Sequence, residues 1–147
     1  MPKFAYHNAP EKTAEAWLGN EFTVRDLGSL DEDGYLFLAD RRVDLILRGG
    51  VNIYPAEVEH ALATNPDIVD SAVFGLPDEQ LGQRVHAIVE LRPGVSPDPG
   101  AILKELAGHL APYKFPATIE FIDELPREPN GKVLKRRLRD ARLDAPA

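Results

Sequence analysis

The sequence contains no cysteine at any of its 147 positions. A disulfide framework and a thiolate metal site are therefore both excluded, and the composition fits a reducing compartment. No apolar run approaches the roughly 20 residues that a membrane-spanning helix needs. The first residues, Met1-Pro2-Lys3-Phe4, lack the apolar core of a secretory signal. We therefore expect a cytoplasmic protein without a membrane span.

Common catalytic and metal-binding motifs are also missing. No serine lies in a Gly-x-Ser-x-Gly elbow, which excludes that class of hydrolase. Gly131-Lys132 is not part of a Walker phosphate loop, because Pro126 replaces the first glycine and Val133 replaces the Ser or Thr. The four histidines show no HxH or HxxxH spacing, so we predict no metal site; they are His7, His60, His86 and His109.

Composition and charge indicate one ordinary domain with an uneven charge distribution. Hydrophobic residues make up 44% of the chain and charged residues 28%, and a chain of this length buries a core without staples. The net charge is −7, yet residues 127–142 alone carry +5, which leaves −12 for the rest. A basic stretch indicates a solvated helix face or a site for anions or nucleic acid. It contains no aromatic residue, which disfavours nucleic acid.

Turn signals and hydrophobic spacing divide the chain into short strands and helices. Asp33-Gly34, between two apolar stretches, predicts a β-hairpin over residues 27–39. Pro55 is typical of a helix start. Further strands are predicted at 43–47, 68–76, 84–91 and 117–122, and helices at 55–65, 98–110 and 133–143. The pattern predicts an α+β fold in which the hairpin leads into a small three-stranded sheet with packed helices.

Seven short motifs follow one another in a characteristic order. They are PEKTA at 10–14, DLG at 26–28, DEDGY at 31–35, DRRVD at 40–44, GGVNIYPAEVE at 49–59, AVFGLPD at 72–78 and PREPNGK at 126–132. In this combination the chain resembles the C-terminal part of the adenylate-forming superfamily, which includes acyl-CoA synthetases, adenylation domains of peptide synthetases and luciferases. The resemblance runs from about Phe4 to Arg139, and the GGVNIYPAEVE block and the final Pro-x4-Gly-Lys are its most specific parts.

The resemblance implies the C-terminal domain of an ATP-dependent acyl-CoA synthetase, separate from the large domain that holds most of the active site. In that family a carboxylate attacks ATP to give an acyl-adenylate and pyrophosphate, and the CoA thiol then displaces AMP. A small C-terminal lid rotates between the two steps, which shields the reactive anhydride and later admits the thiol. ATP, with Mg in the complete enzyme, and CoA are the implied cofactors, and the partner is an N-terminal adenylation domain.

The same resemblance assigns segments of the chain. Residues 1–25 are expected to be the tail of the missing N-terminal domain, 26–42 a nucleotide-contact hairpin and hinge, and 43–147 the lid. The fragment alone is expected to be inactive. The chain could be a domain excised from a longer enzyme or the product of a truncated gene, and the sequence leaves both origins open.

Individual roles carry over only onto matching positions. Lys132 matches the catalytic lysine that bridges the carboxylate and phosphate oxygens, where a compact ammonium can stabilise the growing negative charge. Asp26 matches the aspartate that binds the ribose hydroxyls, and Arg41 the arginine that binds ribose and phosphate. The other implied positions are the hinge at Val43 and a CoA-binding set of Gly49, Gly50 and Lys114.

The chain departs from the family pattern at three places. Val24-Arg25 replaces the usual Thr-Gly before Asp26. The hinge position, commonly Asp or Lys in relatives, is Val43. Relatives often have several basic residues around 113–117, whereas here Lys114 is the one basic residue. Two other classes of function also remain open. One is a stand-alone, non-catalytic module that binds a partner synthetase or CoA. The other is a small nucleic-acid-binding domain that uses the basic stretch.

Overall fold

The computed structural model describes residues 4–41 and 44–144, without the side chains of residues 39–41. The chain forms two compact units, residues 1–43 and 44–147. The first unit contains α1 (Pro10–Ala16), β1 (Trp17–Leu18), β2 (Glu21–Phe22), β3 (Asp26–Leu30) and β4 (Leu36–Arg41). The second contains β5 (Ile46–Arg48), β6 (Val51–Ile53), α2 (Pro55–Leu62), β7 (Ile68–Asp78), β8 (Gly82–Leu91), α3 (Pro99–Leu106), a 3₁₀ turn (Pro112–Lys114), β9 (Thr118–Ile122) and α4 (Lys135–Leu143).

The first unit is held by aromatic contacts and two small antiparallel hairpins. Strands β1 and β2 pair with each other, and β3 pairs with β4. The ring of Phe4 lies 5.1 Å from the ring of Trp17 and 5.1 Å from that of Phe22. Rings at this separation stabilise one another beyond their buried area. This cluster orders the start of the chain around a few large side chains.

The β3–β4 hairpin confirms the prediction for residues 27–39. Its turn is closed by Asp31, whose carboxylate accepts hydrogen bonds from the backbone N–H of Asp33 at 3.0 Å and of Tyr35 at 2.9 Å. Gly34 adopts φ +85°, a conformation that glycine reaches without steric cost. The Asp-Gly signal therefore forms the turn that it predicts.

The second unit is built on a five-stranded sheet with β8 at its centre. Strand β7 pairs antiparallel along nearly the whole of β8. On the other side of β8, its first residue pairs with β5 and its later residues pair in parallel with β9. Strand β6 lies at the edge, beyond β5.

Both faces of this sheet are covered, and alternate residues of β7 and β8 enter different cores. Val73 and Ala87 pack with residues of α2 and α3 in the larger core. Phe74 and Ile88, their neighbours in sequence, pack on the opposite face with Leu138 of α4. This period of two is the geometry of a strand with two buried faces. The sheet is therefore a rigid layer to which α4 is attached from one side.

The predicted class, α+β with a leading hairpin and packed helices, is confirmed, but the sheet has five strands rather than three. The predicted helices at 55–65 and 98–110 are observed at Pro55–Leu62 and Pro99–Leu106. One extra strand arises at Gly49-Gly50, where the chain folds back and β6 pairs with β5, and β9 joins the same sheet in parallel with β8. No helix within residues 4–41 and 44–144 is long and apolar enough to cross a membrane.

Candidate functional site

Lys132 follows a tight turn whose residues Glu128, Gly131 and Lys132 have hydrogen-bond partners for their backbone N–H and carbonyl groups. The N–H of Gly131 donates to the carbonyl of Glu128 at 2.8 Å, with Pro129 and Asn130 between them. Proline at the second position of such a turn and a glycine at φ +88° after it are typical of a type I turn with a bulge. The Asn130 side chain accepts from the N–H of Lys132 at 2.9 Å and donates to Glu128 at 3.0 Å. The turn is thus preorganised by its own residues.

The two arms of this turn are attached to the core of the second unit. Leu125, before the turn, is 1% exposed, and Leu138, after it, is 6% exposed. Both belong to the core cluster against the sheet, and Val133 packs against that cluster from between them. Backbone hydrogen bonds join the arms, including Leu134 N–H to the Pro126 carbonyl at 2.8 Å. The position of Lys132 is therefore fixed relative to the sheet.

The ammonium of Lys132 is exposed and makes no ion pair with the residues that the structure describes. Its basic neighbours differ from it. Arg127 binds Asp70 at 2.6 Å, and Lys135 binds Glu59 at 2.6 Å. The Arg127–Asp70 hydrogen bond raises the pKa of the guanidinium. A charged ammonium on a rigid turn is available here to an anion from outside the chain.

Asp26 is the first residue of β3, and the backbone register places it opposite Arg41 of β4. The structure thus brings the two predicted nucleotide-binding positions together on one hairpin. A register shift follows at Gly28, where a Cβ atom would lie 2.6 Å from the carbonyl oxygen of Phe37. Glycine is required at that position because the strands approach so closely. The side chain of Arg41 and the hinge position Val43 lie outside the described residues.

Arg25, which replaces the glycine expected before Asp26, keeps a glycine-like conformation. Its φ is +64°, and only a few per cent of non-glycine residues adopt such a value. The guanidinium of Arg25 forms an ion pair with Glu15 of α1. The tight turn therefore survives the substitution, and the arginine side chain is directed to a carboxylate of the same unit.

Gly49 and Gly50 form a two-residue turn between β5 and β6. Their φ values, +56° and +80°, are both positive, as a type I′ hairpin turn requires. The N–H of Gly49 donates to the carbonyl of Leu81 at 2.8 Å, which joins the turn to the β7–β8 connection. A Cβ atom on Gly50 would meet no atom within 4 Å. A Cβ atom on Gly49 would lie 3.4 Å from the Leu81 side chain, so the turn is open at Gly50, where an extended ligand can approach the backbone.

Lys114 lies close to this turn but is already engaged by the protein. Its ammonium forms an ion pair with Glu57 in the first turn of α2, and this hydrogen bond raises the lysine pKa. The neighbouring residue, Tyr113, accepts a hydrogen bond from the Arg48 guanidinium through its carbonyl. The three predicted CoA-binding positions are therefore in one region, yet the charge of Lys114 is matched within the chain.

Sequence reasoning assigned no part in the site to four side chains that hold the turn and the start of α4: Asp70, Glu59, Arg127 and Lys135. Arg127 lies inside the PREPNGK motif, but its partner is on β7, 57 positions away. Glu59 accepts from the N–H of Val73 at 2.7 Å and also binds Lys135. Glu59 and Arg127 lie inside quoted motifs and Asp70 and Lys135 lie just outside them, but the pairing of these side chains depends on the tertiary fold.

Most of the basic stretch is matched by carboxylates of the same chain. Arg136 pairs with Asp140 at 3.5 Å, and Arg142 forms an ion pair with Glu120 of β9. Arg142 lowers the pKa of Glu120 through this hydrogen bond. This internal pairing leaves less free positive charge for nucleic acid than the sequence suggests. Among the described residues, no group of three His, Asp or Glu side chains could hold a metal ion.

Known proteins are similar to this chain in sequence. A family model described as the AMP-binding enzyme C-terminal domain matches residues 57–132, so the match ends at the candidate lysine. The chain is 48% identical over 134 residues to the 2-succinylbenzoate–CoA ligase of Geobacillus kaustophilus, covering 91% of this chain and 27% of that protein. It is 46% identical over 135 residues to the fatty acid–[acyl-carrier-protein] ligase ScoC of Streptomyces coeruleorubidus, covering 92% and 26%.

Solved structures agree with these relatives. ATP-bound MatB from Rhodopseudomonas palustris superposes with a TM-score of 0.85 at 38% identity, over 93% of this chain and 27% of that one. The o-succinylbenzoate CoA synthetase of Bacillus subtilis, solved with its acyl-adenylate intermediate, gives a TM-score of 0.79 at 38% identity, over 93% and 27%. The chain thus spans about a quarter of the length of these relatives. It belongs to the AMP-binding enzyme C-terminal domain family of adenylate-forming enzymes.

Proposed function

We propose that this chain acts as the C-terminal lid of an ATP-dependent acyl-CoA synthetase. The complete enzyme would convert a carboxylate, ATP and CoA into acyl-CoA, AMP and pyrophosphate through an acyl-adenylate. One observation carries the proposal: Lys132 presents an unpaired ammonium, within the described residues, on a turn that is fixed to the sheet. The names of the relatives, acid–thiol ligases of CoA or of an acyl carrier protein, support the same reaction class.

Lys132 would act in the adenylation half-reaction. Negative charge grows on the phosphate oxygens as the carboxylate attacks, and an ammonium held in place stabilises that charge without reorganisation. Asp26 would accept hydrogen bonds from the ribose hydroxyls, with Arg41 opposite it on the hairpin. ATP would enter with Mg²⁺. The proposed division of the chain is a tail at 1–25, the nucleotide hairpin and hinge at 26–42, and the lid from 43 onward, with Val43 at the hinge.

The thiol half-reaction would use the other end of the second unit. The open space at Gly50 in the Gly49-Gly50 turn suits the close approach of a pantetheine arm. Lys114 would contribute through Glu57, by ordering the segment beside that turn, more than by binding phosphate. We propose CoA as the acceptor, an N-terminal adenylation domain as the partner, and fatty-acid metabolism in the cytoplasm as the setting.

The test is a chimeric ligase in which this chain replaces the matching C-terminal segment of the Geobacillus kaustophilus 2-succinylbenzoate–CoA ligase. Adenylation is measured as pyrophosphate exchange that depends on 2-succinylbenzoate. The second step is measured as thioester formation from supplied acyl-adenylate and CoA. Lys132→Ala should lower adenylation by about 10²-fold or more, the usual scale for losing a preorganised charge contact in a transition state.

The second step should change by less than about twofold, since a contact made in one transition state affects only that step. Lys104→Ala is the matched control, because Lys104 is an exposed lysine of α3 on the same unit. Full adenylation activity in Lys132→Ala would remove this lysine from the mechanism. Equal losses in both steps would point to a folding or docking defect and would also contradict the proposal.

A further inference from the structure

Lys132 is held on both sides by hydrogen bonds to its own backbone. The peptide group before it has its N–H bound by the Asn130 side chain at 2.9 Å. The carbonyl of that same peptide group, that of Gly131, accepts from Nη1 of Arg127 at 3.1 Å. The carbonyl of Lys132 itself accepts from the N–H of Glu128 at 2.8 Å. The direction in which the lysine side chain leaves the backbone is therefore determined by these three contacts.

Arg127 is the one of these three partners that also reaches the sheet. Its Nη2 donates to Asp70 of β7 at 2.6 Å and lies 3.9 Å from a carboxylate oxygen of Glu90 on β8. That oxygen of Glu90 accepts from the N–H of Leu125 at 2.9 Å, so the start of the arm is tied to the same point. A single guanidinium thus joins the turn to β7 and to β8, the strand at the centre of the sheet.

We propose that Arg127 is a positioning residue for adenylation, which holds the peptide group before Lys132 at a fixed place above the sheet. The proposal rests on the catalytic role of Lys132 given above. An arginine suits this task because its planar fork makes two hydrogen bonds in fixed directions, one to the turn and one to Asp70. A lysine at the same position can make one strong contact but cannot hold both partners at a fixed angle.

The expected effect follows from the sensitivity of catalysis to distance. A displacement of a catalytic group by about 1 Å can cost on the order of 10²-fold in rate. Without Arg127, the turn loses its link to β7 and the hydrogen bond to the Gly131 carbonyl. The turn can then shift, and the hydrogen bonds that remain within it open more often. We therefore expect Arg127→Met to lower adenylation in the chimeric ligase by roughly ten- to a hundredfold.

The half-reaction assay separates positioning from folding. Thioester formation from supplied acyl-adenylate should stay within about twofold of the parent value, because Lys132 is not used there. Arg127→Lys should recover part of the adenylation rate, and Asp70→Asn should lose part of it. Arg136→Met is the matched control. It removes the same charge from a side chain of α4 that is 88% exposed and pairs with Asp140 of the same helix.

Amide hydrogen exchange on the 147-residue chain gives a second readout that does not depend on activity. In Arg127→Met, exchange at the N–H groups of Gly131 and Lys132 should accelerate, while Arg136→Met should leave both unchanged. If Lys132→Ala abolishes adenylation but Arg127→Met behaves like Arg136→Met, the positioning role is refuted and the proposed function stands. If Lys132→Ala retains adenylation, the proposed function fails instead. Equal loss in both half-reactions of the Arg127→Met chimera also refutes the positioning role. So does unchanged amide exchange in the Arg127→Met chain when the corresponding chimera has lost adenylation.

Discussion

Leu138→Ala tests whether α4 holds the Lys132 turn against the sheet. Leu138 is the buried residue of α4, 6% exposed, and it packs in the cluster that contains Phe74, Ile88 and Leu125. Leu→Ala changes at buried sites cost about 2–5 kcal/mol. Because α4 lies at the surface and can move into part of the space left, we expect the lower end, about 2–3 kcal/mol.

That loss is large for a domain whose whole free energy of unfolding is about 5–15 kcal/mol. It should lower the thermal midpoint of the second unit by roughly 10 to 20 °C. Urea denaturation followed by circular dichroism measures the change, and the slope against urea should stay constant if the change is in stability alone. Leu143→Ala is the control, since this leucine of the same helix is 47% exposed. We expect it to cost less than about 0.5 kcal/mol. Equal losses in the two variants would refute the packing described here.

Three further changes probe the charged and strained positions. Burial lowers the pKa of His86, and the Arg142 guanidinium lowers that of Glu120, so both groups favour folding at neutral pH. The contribution of these two groups to the free energy of unfolding should therefore be fully present above about pH 6.5. It should be lost as the pH falls through the folded-state pKa of His86 and then through that of Glu120. A urea midpoint that is unchanged between about pH 7.5 and 4 would contradict this. The chimeras with Lys114→Met and with Glu57→Gln should have similar KM values for CoA, because the two side chains act as a pair. A KM that is tenfold larger in the lysine variant alone, equivalent to about 1.4 kcal/mol of binding free energy, would indicate that Lys114 binds phosphate. Arg25→Gly should change the free energy of unfolding by less than about 1 kcal/mol, because relief of the left-handed backbone strain offsets the added freedom of the unfolded chain. Arg25→Val should cost more. The fluorescence of the single tryptophan, in the same unit, reports the unfolding of both variants, and equal stability of the two would contradict the backbone argument.

Local signals account for the elements that the sequence predicted well. The β3–β4 hairpin depends on Asp31 and Gly34, which are within four positions of each other and need no distant partner. Helix α2 begins at Pro55, where the missing N–H is harmless. The β5–β6 hairpin also had a local signal, the Gly-Gly pair between short apolar stretches. We predicted a turn there but not the second strand, which accounts for one of the two strands by which the sheet exceeds the prediction.

The candidate site also has a part that local sequence encodes and a part that depends on distant residues. The motif pattern identified Lys132, and the turn around it is made by its immediate neighbours, so its geometry is encoded locally. The partners that fix this turn to the sheet are distant in sequence: Arg127 and Asp70 are 57 positions apart, and so are Lys114 and Glu57. No periodicity or spacing connects such pairs. They become visible only when the strands and helices have been packed together.

The pairing of its neighbours explains why Lys132 remains available. The chain carries a net charge of −7, so carboxylates near the turn would attract an exposed ammonium. Two of the acidic side chains beside the arms are already bound, Asp70 by Arg127 and Glu59 by Lys135. Neither needs Lys132 as a partner, and its charge is left for an anion outside the chain. Replacing Arg127 by a neutral residue would therefore have two effects in the same direction: it would loosen the turn, and it would free Asp70 to compete with the phosphate for the lysine.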